Sequence, residues 1–276
     1  MKIKAVCFFD STCYKFGSCE FMICCFTANK YGPHHCHFFG YYTQMKSIEG
    51  IVVIVGNFGS GKTEVAINVA VNRKLAGIDV RLADLDLVNP YFRTREARRA
   101  LAELGIEVVL PPDKYLQADL PVLSPVISGM IRQPSQLTLL DAGGDGVGAT
   151  VLASLSDSLR GKNVNMFQVV NPFRPFTETV SGCLKIREEI EDAAQMAING
   201  IIGNANLIDE TTVDDLYRGY DFIQELSRKS ELPVKFITAV TDLLPRIDKN
   251  RIACDILKIE RQLVPPWIKA ARLGAN

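Results

Sequence analysis

The sequence has no excess of charge of either sign and no long hydrophobic run. Lys plus Arg and Asp plus Glu both number 31 over the 276 residues, so the formal net charge is zero. Nucleic acids and anionic membrane surfaces attract proteins with a clear basic excess, and the balance therefore indicates no nucleic-acid partner. A membrane span needs about 18 or more consecutive apolar residues, and the sequence contains no such run, which indicates a soluble protein.

Cysteine is scarce beyond the first 36 residues, where only Cys183 and Cys254 occur. A chain of this length can build a large buried core and does not need disulfides, which are rare in the reducing cytosol. Two isolated cysteines are typical of small buried side chains and favour a cytoplasmic location.

Residues 1–44 differ in composition from the rest of the chain. They contain six of the eight cysteines, all three histidines and eleven of the 23 aromatic residues. Cysteine and histidine are zinc ligands, but the segment has no CxxC pair and does not follow the usual two-and-two spacing of a zinc site. The alternative is an upstream extension that precedes a natural start at Met45, and we expect this extension to be weakly ordered.

From Gly50 onward, β-branched apolar runs alternate with helical patterns, which is typical of βαβ units. The pattern predicts a doubly wound α/β domain over residues 45–276, with helices on both faces of a mostly parallel, seven-stranded sheet. The predicted strands cover residues 51–55, 79–84, 106–110, 137–141, 165–170, 198–203 and 234–238. The predicted helices cover residues 61–76, 93–104, 149–160, 176–193, 212–229 and 248–260. Ligands bind such sheets at the carboxyl ends of the strands, so the loops that follow strands are the candidate sites.

The loop after the first strand fits the pattern G-x-x-x-x-G-K-[ST], and the strand before it and the helix after it supply the required context. Its glycines let backbone N–H groups converge on phosphate oxygens beside the positive end of a helix. The pattern predicts that the lysine reaches the β- and γ-phosphates of a nucleotide and that the threonine hydroxyl binds Mg²⁺. The predicted binding residues are Gly56, Asn57, Phe58, Gly59, Ser60, Gly61, Lys62 and Thr63.

The loop after the fourth predicted strand begins with Asp141 and continues to Gly144 in a D-x-x-G spacing. An aspartate at the end of an apolar strand, in a chain with a phosphate loop, is predicted to be the Walker B carboxylate that holds Mg²⁺. The N–H of Gly144 is predicted to reach the γ-phosphate. A strand-end aspartate alone is often only a turn residue or a helix cap.

The loop after the second predicted strand carries Asp84 and Asp86, followed by Arg93 and Arg95. Carboxylates at this edge can orient an attacking water or support the metal, and guanidinium groups match phosphate or an anionic substrate. The alternative is a helix start, with Asn89-Pro90 at its first positions and the arginines on a solvated face.

Together these three segments resemble the MinD/ParA/CobQ-like nucleotide-binding family, over about residues 51–240. This P-loop branch includes dethiobiotin synthetase and nitrogenase iron protein, and the closest similarity is to uncharacterised bacterial CobQ-like ATP-binding proteins. The resemblance implies ATP and Mg²⁺ as cofactors, catalytic roles for Lys62, Asp84 and Asp141, and metal binding by Thr63 and both carboxylates. It also implies that Asn204 contacts adenine. No N-K-x-D run of the kind that recognises guanine is found.

Many partitioning ATPases of this family have a second lysine after the first glycine of the loop, which acts across a nucleotide-sandwiched dimer. This chain has Asn57 there, so a homodimer would form through other contacts. The segment Val169–Phe176 follows a predicted strand at the same edge. Asn171 and Arg174 in this segment are candidates to bind the base, a phosphate or a partner. The alternative is that the segment is only a rigid turn between a strand and a helix.

These features predict a Mg-ATP-binding P-loop ATPase that acts as a nucleotide-dependent switch or assembly factor on a protein partner. One alternative is an ATP-dependent ligase or synthetase that activates a small carboxylate substrate, in cobalamin-type or related metabolism. The other alternative is a nucleotide-binding module with negligible turnover. The switch and the enzyme would both hydrolyse ATP slowly without their partner or substrate.

Overall fold

The computed structural model describes residues 48–85, 94–110, 125–143, 146–264, 270, 273 and 274. Both interpretations of residues 1–44 and the roles predicted for Asp86, Arg93 and Gly144 lie outside this part of the chain. The side chain of Arg95 lies outside it as well. Within the described part, no helix is both long and apolar enough to cross a membrane.

One sheet of eight parallel strands forms the centre of the domain. Its spatial order is β3-β2-β4-β1-β5-β6-β7-β8, and every neighbouring pair is parallel. The strands are β1 Gly50–Val55, β2 Val80–Asp84, β3 Glu107–Val109, β4 Leu137–Asp141, β5 Val164–Val170, β6 Gly200–Gly203, β7 Val234–Val240 and β8 Ile256–Ile259. The chain runs outward from β1 in both directions, so the predicted doubly wound α/β fold is confirmed.

Helices connect the strands. They are α1 Lys62–Leu75, α2 Thr94–Glu103, α3 Pro125–Arg132, α4 Gly146–Ser154, α5 Ser156–Leu159, α6 Val180–Ala194 and α7 Val213–Ser230. In the described part of the chain, short 3₁₀ helices cover Ile208–Glu210, Thr241–Arg246 and Lys249–Arg251. α7 begins with a capping box in which the side chains of Thr212 and Asp215 each accept a hydrogen bond from the other residue's backbone N–H.

Alternate side chains of β1 enter two separate cores, one on each face of the sheet. Val52 and Ile54 share a core with α1, whereas Ile51, Val53 and Val55 share the other with α4 and α6. Successive side chains of a strand point to opposite faces, so a strand covered on both faces is apolar along its whole length. Each fully buried Val or Ile side chain contributes about 1.5–3 kcal/mol, and β1 is therefore a rigid support for the loop that follows it.

The structure differs from the predicted secondary structure in three places. Residues 248–260 do not form a helix: they contain a single 3₁₀ turn and the strand β8, which makes the sheet eight-stranded instead of seven-stranded. Burial in β8 alternates, with Leu257 and Ile259 inside, but four residues are too few to distinguish a period of two from a helical period. The helix α3 was not predicted, and the helix predicted over 149–160 is divided into α4 and α5.

Candidate functional site

The phosphate loop, residues 56–63, leaves the centre of the sheet at the end of β1 and enters α1. Gly56 and Gly61 have φ values of 146° and 87°, a region that side-chain-bearing residues rarely adopt. A Cβ atom at Gly56 would lie 2.4 Å from the Val169 carbonyl oxygen, and one at Gly61 would lie 2.3 Å from Asn204 Nδ2. Glycine is therefore required at both positions by conformation and by space, and β5 and β6 form the wall behind the loop.

Lys62 is the first residue of α1, and its side chain folds back across the loop. Its ammonium group donates a hydrogen bond to the Asn57 carbonyl oxygen at 3.2 Å, and the residue is only 7% exposed. The N-cap of α1 is Gly61, which provides no side-chain cap for the first turn. An uncapped helix N-terminus beside an ammonium group is an arrangement that binds phosphate, so the loop fits the nucleotide that its sequence predicts.

Asp84 and Asp141, here called the carboxylate pair, end β2 and β4 side by side. They are direct register partners in the sheet, and each is 1% exposed. β4 also pairs with β1, where Asp141 is opposite Ile54, two residues before the phosphate loop. The two predicted metal ligands therefore lie at the carboxyl ends of their strands, on the same side of the sheet as the phosphate loop. This agrees with the sequence, in which each follows a strand.

This donor set fits a magnesium ion. Mg²⁺ in nucleotide sites is usually held by one or two carboxylates, with phosphate oxygens and waters completing its shell. Within the described part of the chain there is no group of three or more His, Cys, Asp or Glu side chains that could hold a metal. The carboxylate pair therefore supplies the donors that Mg²⁺ takes when a nucleotide completes its shell.

Asn204 lies directly after β6 and connects the phosphate loop to the sheet. Its Nδ2 donates to the Ser60 carbonyl oxygen at 2.6 Å, and its Oδ1 accepts from the Thr238 hydroxyl of β7. Its backbone N–H donates to the Val170 carbonyl oxygen at 2.8 Å, and the residue is 4% exposed. The amide therefore anchors the loop, while its predicted contact with adenine stays a prediction.

Asn171 organises the loop between β5 and α6, residues 171–179, here called the β5–α6 loop. The side chain is buried: its Nδ2 donates to the Asn206 carbonyl oxygen at 2.8 Å and its Oδ1 accepts from the Phe173 N–H at 3.1 Å. The β5–α6 loop also contacts the phosphate loop, because Asn57 Nδ2 donates to the Pro175 carbonyl oxygen at 2.8 Å. Asn171 thus connects the β5–α6 loop to the loop after β6, which carries Asn206. A direct contact of Asn171 with a nucleotide stays a prediction.

Two contributors to this site were missed in the sequence. Thr238 is a polar residue within an apolar strand, and that signal could have identified it as the partner of a buried group. Glu64 follows Thr63, and its carboxylate accepts the backbone N–H groups of Gln262 and Leu263 at 2.8 and 2.9 Å. Burial raises the pKa of the Glu64 carboxyl above its ordinary value, although these N–H groups act in the opposite direction.

Several solved structures are similar to this chain. One is the cell division protein FtsY from Thermotoga maritima, with a TM-score of 0.50 and 18% identity over 70% of this chain and 63% of that one. Another is the signal recognition particle 54 kDa protein from Aeropyrum pernix in complex with GDP, at TM-score 0.44 and 20% identity over 68% and 41%. A third is a nucleotide-binding protein from Archaeoglobus fulgidus in complex with ADP. Its TM-score is 0.41, with 19% identity over 76% of this chain and 89% of that one.

The similarity to the Thermotoga maritima protein supports the fold. The match to the Thermotoga protein, which extends over less than two thirds of that chain, confirms the P-loop NTPase fold predicted from the sequence. No protein-family model matches the chain, and no curated protein matches it. The resemblance to the MinD/ParA/CobQ-like family is not confirmed by these matches and stays a prediction, as does the preference for ATP over GTP.

Proposed function

We propose that this chain binds a nucleoside triphosphate with Mg²⁺ and hydrolyses it slowly, as a nucleotide-dependent switch. The observation that carries the proposal is the position of the phosphate loop beside the carboxylate pair at one sheet edge, with the Lys62 ammonium across the loop. We propose ATP as the nucleotide on the basis of the family resemblance. The two free cysteines of the described residues, Cys183 and Cys254, agree with a cytoplasmic location, which we also propose.

Each residue of the site has a distinct proposed role. Lys62 and the N–H groups of the phosphate loop bind the β- and γ-phosphates, and Thr63, Asp84 and Asp141 hold the metal. Mg²⁺, when bound, neutralises the charge that develops on the phosphates. Asp84 accepts a hydrogen bond from the attacking water and orients it. Because Asn204 and Asn57 fix the loop to its neighbours, the N–H groups are oriented before the nucleotide arrives.

Exposed aromatic residues favour a protein partner over a small carboxylate substrate. Phe58, in the phosphate loop, is 71% exposed, and Phe176, in the β5–α6 loop, is 72% exposed. Their neighbours Asn57 and Pro175 are joined by a hydrogen bond, so the two loops that carry these rings are linked. Large apolar side chains exposed beside a nucleotide site are typical of surfaces that bind another protein. A homodimer through this surface is compatible with the absence of a lysine at position 57.

Calorimetry and hydrolysis assays on the full chain test the proposal. Lys62→Ala is expected to weaken ATP binding at least tenfold, since each hydrogen bond from a charged donor contributes about 1.5–3 kcal/mol. Lys185→Ala, whose side chain is 77% exposed on α6, is the matched control and should bind like the unchanged chain. Equal affinity of the Lys62 variant and the control for ATP and for GTP would show that the loop binds no nucleotide.

The hydrolytic step is tested by a second set of variants. Asp84→Asn and Asp141→Asn are expected to retain the fold and to lower Mg²⁺-dependent hydrolysis more than tenfold, because both carboxylates lie at the proposed metal site. Asp157→Asn, whose side chain is 87% exposed on α5, is the control. Stimulation by a purified protein partner supports a switch, whereas stimulation only by small carboxylates supports a ligase. If both site variants hydrolyse ATP at the parent rate, the roles of the carboxylate pair are wrong.

A further inference from the structure

Arg174 occupies a fixed position in the β5–α6 loop, next to the phosphate loop. Its backbone N–H donates to the Asn171 carbonyl oxygen at 3.2 Å, and its carbonyl oxygen accepts from the Thr177 N–H at 3.1 Å. The Thr177 hydroxyl donates to the same carbonyl oxygen at 3.1 Å and to that of Asn171 at 2.7 Å. The next residue, Pro175, is bonded to Asn57 of the phosphate loop. The backbone that carries Arg174 is therefore tied to the loop beside it.

The side chain of Arg174 lies against the tip of the phosphate loop. A Cβ atom built on Gly59 would lie 3.7 Å from Arg174 Cδ and 3.8 Å from its Nε, which is van der Waals contact. Gly59 and its neighbour Phe58 are exposed, so the tip is the open rim of the loop. The arginine stem therefore lies beside Gly59 at the tip of the loop.

Within the described part of the chain, the guanidinium group of Arg174 has no hydrogen-bond acceptor. Arg174 Nε is buried and has no hydrogen-bond partner, and the ion pairs between described residues do not include Arg174. Burying an N–H donor without an acceptor is unfavourable, and such groups in folded proteins usually have a partner. A planar guanidinium matches the oxygens of a phosphate group with two parallel hydrogen bonds, which a ligand at the open rim would supply.

We propose that Arg174 binds the terminal phosphate of the nucleoside triphosphate, as a second cation supplied by the same chain beside Lys62. This inference rests on the proposed function. The terminal phosphate is the outermost group of the ligand and carries the most negative charge, and Arg174 reaches the loop at its outer rim. Asn57 places no charge in the loop itself, so Arg174 provides from the β5–α6 loop the second positive charge of the site. On this proposal, a diphosphate lacks the group that Arg174 contacts.

Calorimetry with matched triphosphate and diphosphate tests the inference. The pair is ATP and ADP or GTP and GDP, whichever the unchanged chain binds more tightly, with Mg²⁺ present. Arg174→Ala is expected to weaken triphosphate binding about 10- to 100-fold, the range for a hydrogen bond to a charged group, and to change diphosphate binding less than twofold. Arg174→Lys should have an intermediate effect, because an ammonium group cannot make the two parallel bonds. Arg160→Ala, 79% exposed on the surface, is the control.

Each outcome separates this inference from the proposed function. If Lys62→Ala weakens binding and Arg174→Ala does not, the phosphate role of Arg174 is wrong while the proposed function stands. If Arg174→Ala weakens triphosphate binding and diphosphate binding equally, the phosphate role of Arg174 is also wrong, because the terminal phosphate is then not the group that it contacts. If the unchanged chain binds no nucleotide, both proposals fail. The melting temperature of the Arg174→Ala variant should not be lower than that of the unchanged chain, since this side chain has no hydrogen-bond partner among the described residues to lose.

Discussion

Removal of the Asn204 amide is expected to loosen the phosphate loop and to destabilise the fold. Asn204→Ala leaves the Ser60 carbonyl oxygen and the Thr238 hydroxyl without their partner, and Asn204 is 4% exposed, so water replaces it poorly. A buried polar group that loses its partner costs about 1–3 kcal/mol, which gives a loss of about 2–6 kcal/mol for the two groups. In a domain of this size, each kcal/mol lowers the melting temperature by roughly 2–4 °C, so the expected drop is roughly 4–24 °C.

Nucleotide affinity distinguishes an anchoring role of Asn204 from a contact with the base. An anchor acts on the loop, so Asn204→Ala should weaken ATP and GTP by the same factor. A contact with adenine would instead weaken ATP alone. Calorimetry with both nucleotides, together with urea unfolding, measures the two effects on one sample. Thr238→Val, which keeps the side-chain volume and removes the hydroxyl, should have a smaller effect of the same kind.

Asn199→Ala is the matched control for this experiment. Asn199 is an exposed asparagine that precedes β6 at the opposite end of the strand, where its Oδ1 accepts the Met166 N–H at 3.1 Å. We expect its replacement to lower the free energy of unfolding by about 1 kcal/mol or less and to leave nucleotide affinity unchanged. If Asn204→Ala unfolds at the same urea concentration as this control, the anchoring role is refuted.

The remaining predictions concern pH and the limits of the domain. Burial raises the pKa of Glu64, so the contribution of this carboxyl to stability falls as the pH rises above about 4.3. Glu64→Gln should therefore lower the free energy of unfolding less at pH 8 than at pH 5. Urea titrations at both pH values check this. Hydrogen bonds from Thr212 lower the pKa of Asp215, so Asp215→Ala should cost about 1 kcal/mol at pH 7 and less at pH 3. A larger cost at pH 3 would contradict this assignment. The chain shortened to residues 45–276 should melt and bind nucleotide like the full chain; a large drop in melting temperature, matched by adding a chelator to the full chain, would indicate a zinc module instead.

Local patterns predicted the part of the site that depends on short stretches of sequence. The phosphate loop is eight consecutive residues between a strand and a helix, and Asp84 and Asp141 each end an apolar run, so position along the chain was enough to place them at one edge. The pairing of these two carboxylates in register is a finding of the structure. It depends on the strand order, which the pattern of alternating strands and helices left open.

The anchors of the site were beyond reach of such patterns. Asn204 and Ser60 are 144 positions apart, and Thr238 is a further 34 positions along the chain. Nothing in the local sequence around any of the three identifies its partner, since hydrogen bonds between distant segments leave no periodicity. The strand β8 was mistaken for a helix for a related reason: its place is fixed by pairing with β7, whereas its own four residues carry little preference.

The link between Glu64 and the segment after β8 sets an order of events during synthesis. The two backbone N–H groups that donate hydrogen bonds to the Glu64 carboxylate are 198 and 199 positions further along the chain. On the ribosome, the phosphate loop emerges early, but the first turn of its helix acquires these partners only after all eight strands have been made. A nascent chain therefore carries a complete phosphate-binding motif long before its supporting contacts exist. The proposed nucleotide site thus acquires its full set of supporting contacts only after residues 262 and 263 have been made.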